Sequence, residues 1–222
     1  MIDELKLNKC QFIEIIKVKD ISIGKEHILL LTDNLNLYSY GNSRHGELGI
    51  GDCQSSDKLY LIDALSGLNI VKISAGGWHN IVLTDTGDIY TWGWNLNGQL
   101  GLSDSCEFCQ SEFQKFTEIA NNKNKRKHAS NIQCLPHPII IGDDDENEVI
   151  VKDIACGSQH TIVLTDNDVL YSWGWNKYGQ IGEYEIEFPQ EIRIPQKMPF
   201  YNQNKILKLY AGSWYTIVET EN

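Results

Sequence analysis

A chain of 222 residues with 41% hydrophobic and 22% charged side chains has the size and balance of one soluble globular domain with a real core. Thirty acidic residues against 19 basic ones give a formal charge of -11 at pH 7, which repels phosphate backbones, sets direct nucleic-acid binding at a disadvantage and steers basic protein partners inward. No run approaches the roughly 18 apolar residues that cross a bilayer. The N-terminus lacks a basic and then apolar leader, and Cys10, Cys53, Cys106, Cys109, Cys134 and Cys156 fall irregularly, so reduced thiols in the nucleus or cytoplasm are expected.

Self-comparison organises the rest. Residues 18–51, 70–102 and 151–183 superimpose without gaps, and a fourth copy begins at Ile206. The register brings together His27, His79 and His160, with Tyr215 in the fourth place. It also aligns Gly24, Gly76, Gly157 and Gly212, then Gly41, Gly93 and Gly174, then Gly46, Gly98 and Gly179.

Within a copy, His79-Asn80-Ile81-Val82-Leu83-Thr84 reads as a strand buried on both faces. Asp85-Thr86-Gly87-Asp88 is a turn in which Gly87 takes positive φ, and Ile89-Tyr90-Thr91-Trp92 is the return strand. Gly93, Gly98, Gly174 and Gly179 mark sharp bends or close backbone approaches. The stretches around Pro136 and Pro138, and around Pro189 and Pro195, suit outer edge strands. Each copy is a small antiparallel sheet that cannot bury its apolar face alone. Stacking such sheets about an axis predicts an all-β fold, a β-propeller of about four blades over residues 1–222.

Residues 103–149 break the repeat as a polar insertion, expected to be a mobile loop. It carries a basic run at residues 123–128, which reads either as a nuclear import signal or as an ordinary solvated loop, and an acidic run at residues 143–146. Cys106-x-x-Cys109 and Cys134-x-x-His137 have the short spacings of a Cys₃His zinc knuckle; uncoordinated thiols are the plainer reading, and no cofactor is expected. One histidine per blade at the same place is expected to fix local loops by hydrogen bonds rather than to converge on a metal. His45-Gly46-Glu47 imitates half of a facial-triad iron site, yet its counterparts Asn97-Gly98-Gln99 and Tyr178-Gly179-Gln180 make it a structural turn.

Trp92 and Trp173 follow the strand alternation into the core. Trp94, Trp175, Trp78 and Trp214 fall on loops, where they suit either aromatic anchors for a partner or packing between blades. No Walker loop, nucleophile elbow, dinucleotide fingerprint or HExxH motif occurs, so a binding protein is expected rather than an enzyme.

Trp92-Gly93-Trp94-Asn95-Leu96-Asn97-Gly98-Gln99-Leu100-Gly101 resembles the signature of the regulator of chromosome condensation repeat family. Residues 173–182 match it with Ile181 for leucine, and the first copy is looser, with Tyr40 for tryptophan and Glu47 for glutamine. The resemblance implies a β-propeller, and the family's ring has about seven blades where roughly four repeats fit here. Two explanations stand: a C-terminal fragment or splice form lacking earlier copies, or an arc closed by a strand at residues 12–18. Gly76-Gly77-Trp78-His79, the doubled Trp-Gly-Trp-Asn pattern, the long insertion and the late Gly-x-Trp are similar to a small member that partners a Jumonji-C-type oxygenase. That resemblance implies a non-catalytic adaptor in chromatin regulation and mitotic chromosome segregation. The family's founding activity implies the alternative, guanine nucleotide exchange on a small Ran-like GTPase.

Overall fold

A computed structural model describes residues 17–102, 131–142, 149–182, 190–198 and 205–221. The first sheet is a meander of β1 (Val18–Ile23), β2 (His27–Thr32), β3 (Leu37–Gly41) and β4 (Ser56–Leu61). A short 3-10 turn, Asp63–Leu65, leads to the second sheet: β5 (Ile70–Ala75), β6 (His79–Thr84), β7 (Ile89–Trp94) and β8 (Ile132–Ile139). The third holds β9 (Val151–Cys156), β10 (His160–Thr165), β11 (Leu170–Trp175) and β12 (Glu191–Lys197), and β13 (Ile206–Ala211) pairs with β14 (Thr216–Thr220) in a fourth. All pairings are antiparallel, and the register repeats: His27 lies opposite Gly41, His79 opposite Gly93, His160 opposite Gly174. Among the described residues there is no α-helix. The all-β propeller architecture stands, and among the described residues the blades follow one another in an arc.

The strands form where the sequence is apolar and β-branched, and the second strand of each blade is the most buried. Every residue of β6 and of β10 is buried. The first strands β1, β5, β9 and β13 touch in succession and form the inner wall. The core lies between blades. Leu29, Leu31 and Ile62 of the first meet Ile70, Val82 and Trp92 of the second. Ile81 and Ile89 of the second meet Ile154, Val163 and Trp173 of the third. Burying each such side chain contributes roughly 1.5–3 kcal/mol, and a lone blade would forfeit that on both faces.

One boundary differs from the reading by composition. Residues 132–139, counted within the insertion, form β8, the outer strand of the second blade. Pro136 and Pro138 sit in it as an edge strand requires. The polar neighbours on either side had masked its own apolar residues, of which Ile139 packs against the core. Residues 103–130 and 143–148, with the basic run and the acidic run, lie outside the described residues, as do Pro189 and residues 12–16 of the suggested closing strand. Val18 itself opens β1.

In a meander the connections alternate between two faces. The loop from first to second strand and the connection from third to fourth share one face. Trp78, Trp94, Trp175 and Trp214 all belong to that face.

Candidate protein-binding face

The face is built on a turn that follows each third strand. In the second blade Asn95 Oδ1 accepts from Leu100 N at 2.9 Å, closing the turn, and in the third Asn176 Oδ1 accepts from Ile181 N at 3.1 Å. The side chains of Glu47, Gln99 and Gln180 fold back to accept from the backbone N–H of His45, Asn97 and Tyr178, at 2.8, 2.9 and 2.9 Å. His45 Nδ1 adds a contact of 2.9 Å to Glu47 Oε1. The pair imitating an iron site is thus spent on holding its own turn.

Each turn bolts onto the next blade. The Glu47 carbonyl accepts from Trp92 Nε1 and Asn80 Nδ2, both at 2.9 Å. The Gln99 carbonyl accepts from Trp173 Nε1 at 2.9 Å and Thr161 Oγ1 at 2.8 Å. The Gln180 carbonyl accepts from Thr216 Oγ1 at 2.7 Å. The recurring histidines complete the link. His27 Nε2 reaches Asn80 Oδ1 at 2.7 Å, His79 Nε2 reaches Thr161 Oγ1 at 2.9 Å, and His160 Nε2 reaches Thr216 Oγ1 at 3.2 Å. Burial holds all three below the usual imidazole range, His79 at about 3 and His160 at about 4. Gly93 and Gly174 take φ of 108° and 105°, and a side chain there would meet the carbonyl of residue 78 or 159 at 2.5 and 2.4 Å. Gly98 and Gly179 take φ of 79° and 75°.

Above this scaffold sit the loop tryptophans. Trp92 and Trp173 have no exposed surface, whereas Trp78, Trp94 and Trp175 are half-buried and Trp214 is exposed. Trp78 and Trp94 meet edge to face, 5.4 Å between centroids at 86°. His45 of the first blade packs 4.8 Å from Trp94, and Lys25 Nζ stands 4.5 Å over Trp78. A second cluster repeats the theme: Trp175 lies 5.0 Å from Trp214 and 5.4 Å from Tyr178. These centroid distances leave no gap for an ammonium group between the rings. The clusters offer outer faces, suited to stacking and cation–π contact rather than to caging.

Of the zinc-knuckle residues, Cys106 and Cys109 lie outside the described residues. Cys134 and His137 both sit on β8, with different surroundings. Cys134 is buried with its Sγ 3.3 Å from Cys53 Sγ, and His137 Nδ1 lies 2.7 Å from the carbonyl of Pro138. Reading by sequence missed Cys53 and the seat of His45 on Trp94. Alignment of His45 with Tyr178 held the only signal, a ring at the same place in two of the three copies.

Comparison with known proteins follows the same geometry. A sequence model described as the regulator of chromosome condensation (RCC1) repeat matches residues 36–83, 86–164 and 167–218. Each match joins the third and fourth strands of one blade to the first and second of the next, so the sequence repeat straddles the junction just described. RCC1 domain-containing protein 1 of Mus musculus is 38% identical over 214 residues, covering 91% of this chain and 55% of that protein. Its Homo sapiens counterpart is 32% identical over 216 residues, covering 91% and 56%. The solved structure of Prp20p from Saccharomyces cerevisiae, described with its binding to Gsp1p and histones, superimposes with a TM-score of 0.70 at 20% identity, covering 90% of this chain and 43% of that one. The chain spans about half the length of the curated relatives it matches.

Proposed function

This chain belongs to the regulator of chromosome condensation repeat family, and from that premise we propose that it is a non-catalytic interaction scaffold whose aromatic face receives a protein partner. The carrying observation is the pair of ring clusters on one face, one of Trp78, Trp94 and His45, the other of Trp175, Trp214 and Tyr178. Two of the six tryptophans hold blades together; these four keep outer ring surface free, as binding anchors do. The partner is a Jumonji-C-type oxygenase, and the setting is chromatin regulation and mitotic chromosome segregation, in the nucleus or the cytoplasm. Support comes from the doubled Trp-Gly-Trp-Asn pattern and from identity to RCC1 domain-containing protein 1 over nine-tenths of this chain. The charge of -11 suits a partner with basic segments.

The test is binding of the full chain to a purified Jumonji-C-type oxygenase from the same source. Trp94→Ala together with Trp175→Ala is expected to weaken binding about tenfold or more while melting stays within about 2 °C. Trp92→Ala, the contrasting case, is expected to cost about 3–5 kcal/mol of stability. No binding by the unmodified chain, or release of labelled nucleotide from a Ran-like GTPase in its presence, would replace this reading with the exchange-factor one.

A further inference from the structure

Two junctions between blades have the same geometry and different fastenings. In β12 and β8 the residues opposite Gly174 and Gly93 are Ile192 and Gln133, so Arg193 and Cys134 occupy equivalent places. At the second junction Gly98 rests on Arg193, where an added Cβ would fall 2.4 Å from its Cα. Arg193 Nη2 then donates to the carbonyl of Leu96 at 3.0 Å, clamping the turn to the outer strand. At the first junction Gly46 rests on Cys134, with an added Cβ 3.0 Å from both its Cα and its Sγ. Gly51 N donates to the Cys134 carbonyl at 3.0 Å. Where the arginine clamp would be, Cys134 Sγ instead faces Cys53 Sγ at 3.3 Å.

We propose that Cys53 and Cys134 form a reversible dithiol–disulfide site that locks residues 42–55 of the first blade onto the outer strand of the second. The two sulfurs come from positions 81 residues apart and are already in contact, so bond formation needs little backbone movement. Cys53 is half-buried and Cys134 buried, which makes Cys53 the sulfur an oxidant reaches. The hydrogen bond between them pushes the Cys53 thiol down and, with burial, the Cys134 thiol up, so the nucleophilic thiolate rests on Cys53. Cys156 is a contrast: buried, its thiol pushed up to about 12, its sulfur beside Thr161 Oγ1.

The oxidant is a hydroperoxide. The Cys53 thiolate attacks its distal oxygen, the O–O bond breaks, and the departing oxygen leaves as water or alcohol after taking a proton. Cys53 is then a sulfenic acid. Cys134 attacks that sulfur, the S–S bond forms, and the sulfenic oxygen leaves as water with the Cys134 proton. Two thiols are oxidised, one peroxide is reduced, and a dithiol reductant reverses the step by exchange. The locked segment carries His45, one member of the first ring cluster, yet the proposal stands without any partner.

The test uses the full chain, treated with excess hydrogen peroxide, alkylated, digested and analysed by mass spectrometry. Expected are joined peptides of Cys53 and Cys134, two hydrogens lighter than the separate pair, released by dithiothreitol. Melting of the oxidised chain is expected to rise by roughly 5 °C. Cys53→Ser is expected to abolish both the link and the rise while leaving the reduced chain's melting within about 2 °C. The proposal falls if both thiols are alkylated after peroxide, if Cys53 is recovered as sulfinic acid, or if either joins a different cysteine. A link without a rise in melting overturns the locking role.

Discussion

Thr161 has one hydroxyl proton, and the Gln99 carbonyl takes it at 2.8 Å, so its oxygen meets His79 Nε2 only as an acceptor. The proton of His79 must therefore sit on Nε2. Thr216 imposes the same tautomer on His160 through the Gln180 carbonyl. Nδ1 of each ring is left bare and buried, against Gly76 or Gly157, where a side chain would collide with the ring at 2.5 or 2.0 Å. Protonating Nδ1 in the fold would place a charge there with no partner, which is why burial drives these values down. The sign for stability follows. With folded values near 3 and 4 and His27 shifted the same way, the unfolded chain binds protons first, near 6.5. Stability contributed by the neutral rings is complete above that point and drains as pH falls from 6.5 toward 4. The slope approaches about 1.4 kcal/mol per pH unit for each of His79 and His160, and His27 acts in the same direction. Denaturant unfolding between pH 6.5 and 5 should show this decline, and His79→Gln should flatten it by up to about 1.4 kcal/mol per pH unit. An unchanged slope in that variant would remove the histidines from the account.

At the scale of the element, the turn after each third strand is defined by what it rests on. Gly98 has φ of 79° and would put a Cβ 2.4 Å from Arg193 Cα, backbone that cannot swing away. Gly67 has φ of 89° and open space around it. Gly67→Ala should cost only the backbone strain, about 1 kcal/mol, whereas Gly98→Ala should add a shift of β12 and cost about 3 kcal/mol or more. Equal costs, read from chemical unfolding, would mean that the turn does not depend on its contact with the outer strand. Much of this element was legible beforehand. The glycine that follows Trp92 in the sequence separated it from Trp94 beyond, and glycines repeating at fixed offsets marked the bends. What stayed hidden depends on neighbours distant in sequence. Cys53 and Cys134 belong to different blades, and no local pattern brings them together. The tight turns before β3 and β11 were hidden for another reason: Leu35 and Asp168 take φ of 61° and 60° where the second blade has Gly87. Reading glycine as the sign of positive φ finds one turn in three.

For the molecule as a whole, stability is close to a sum over junctions, since among the described residues the main contacts between blades join neighbours in the arc. The sum is uneven. β6 and β10 are buried at every residue and flanked by strands on both sides. β14 alternates between half-buried and exposed residues, and among the described residues it pairs with β13 alone. Trp214, Tyr215 and Ile217 on that last sheet are each about half exposed, at 47, 57 and 51%. A sheet joined to the third blade through Ile206 and Leu209, the His160–Thr216 link and the Gln180 carbonyl is expected to open before the blades that precede it. Hydrogen exchange of the full chain should therefore show amides of β6 and β10 protected about 100-fold more than those of β14, with β2 between them. A partner seated on Trp175 and Trp214 would contact the last sheet directly, so binding should slow exchange in β14 more than in β6. Uniform protection from β2 to β14 would show one cooperative unit, and stability could no longer be apportioned junction by junction.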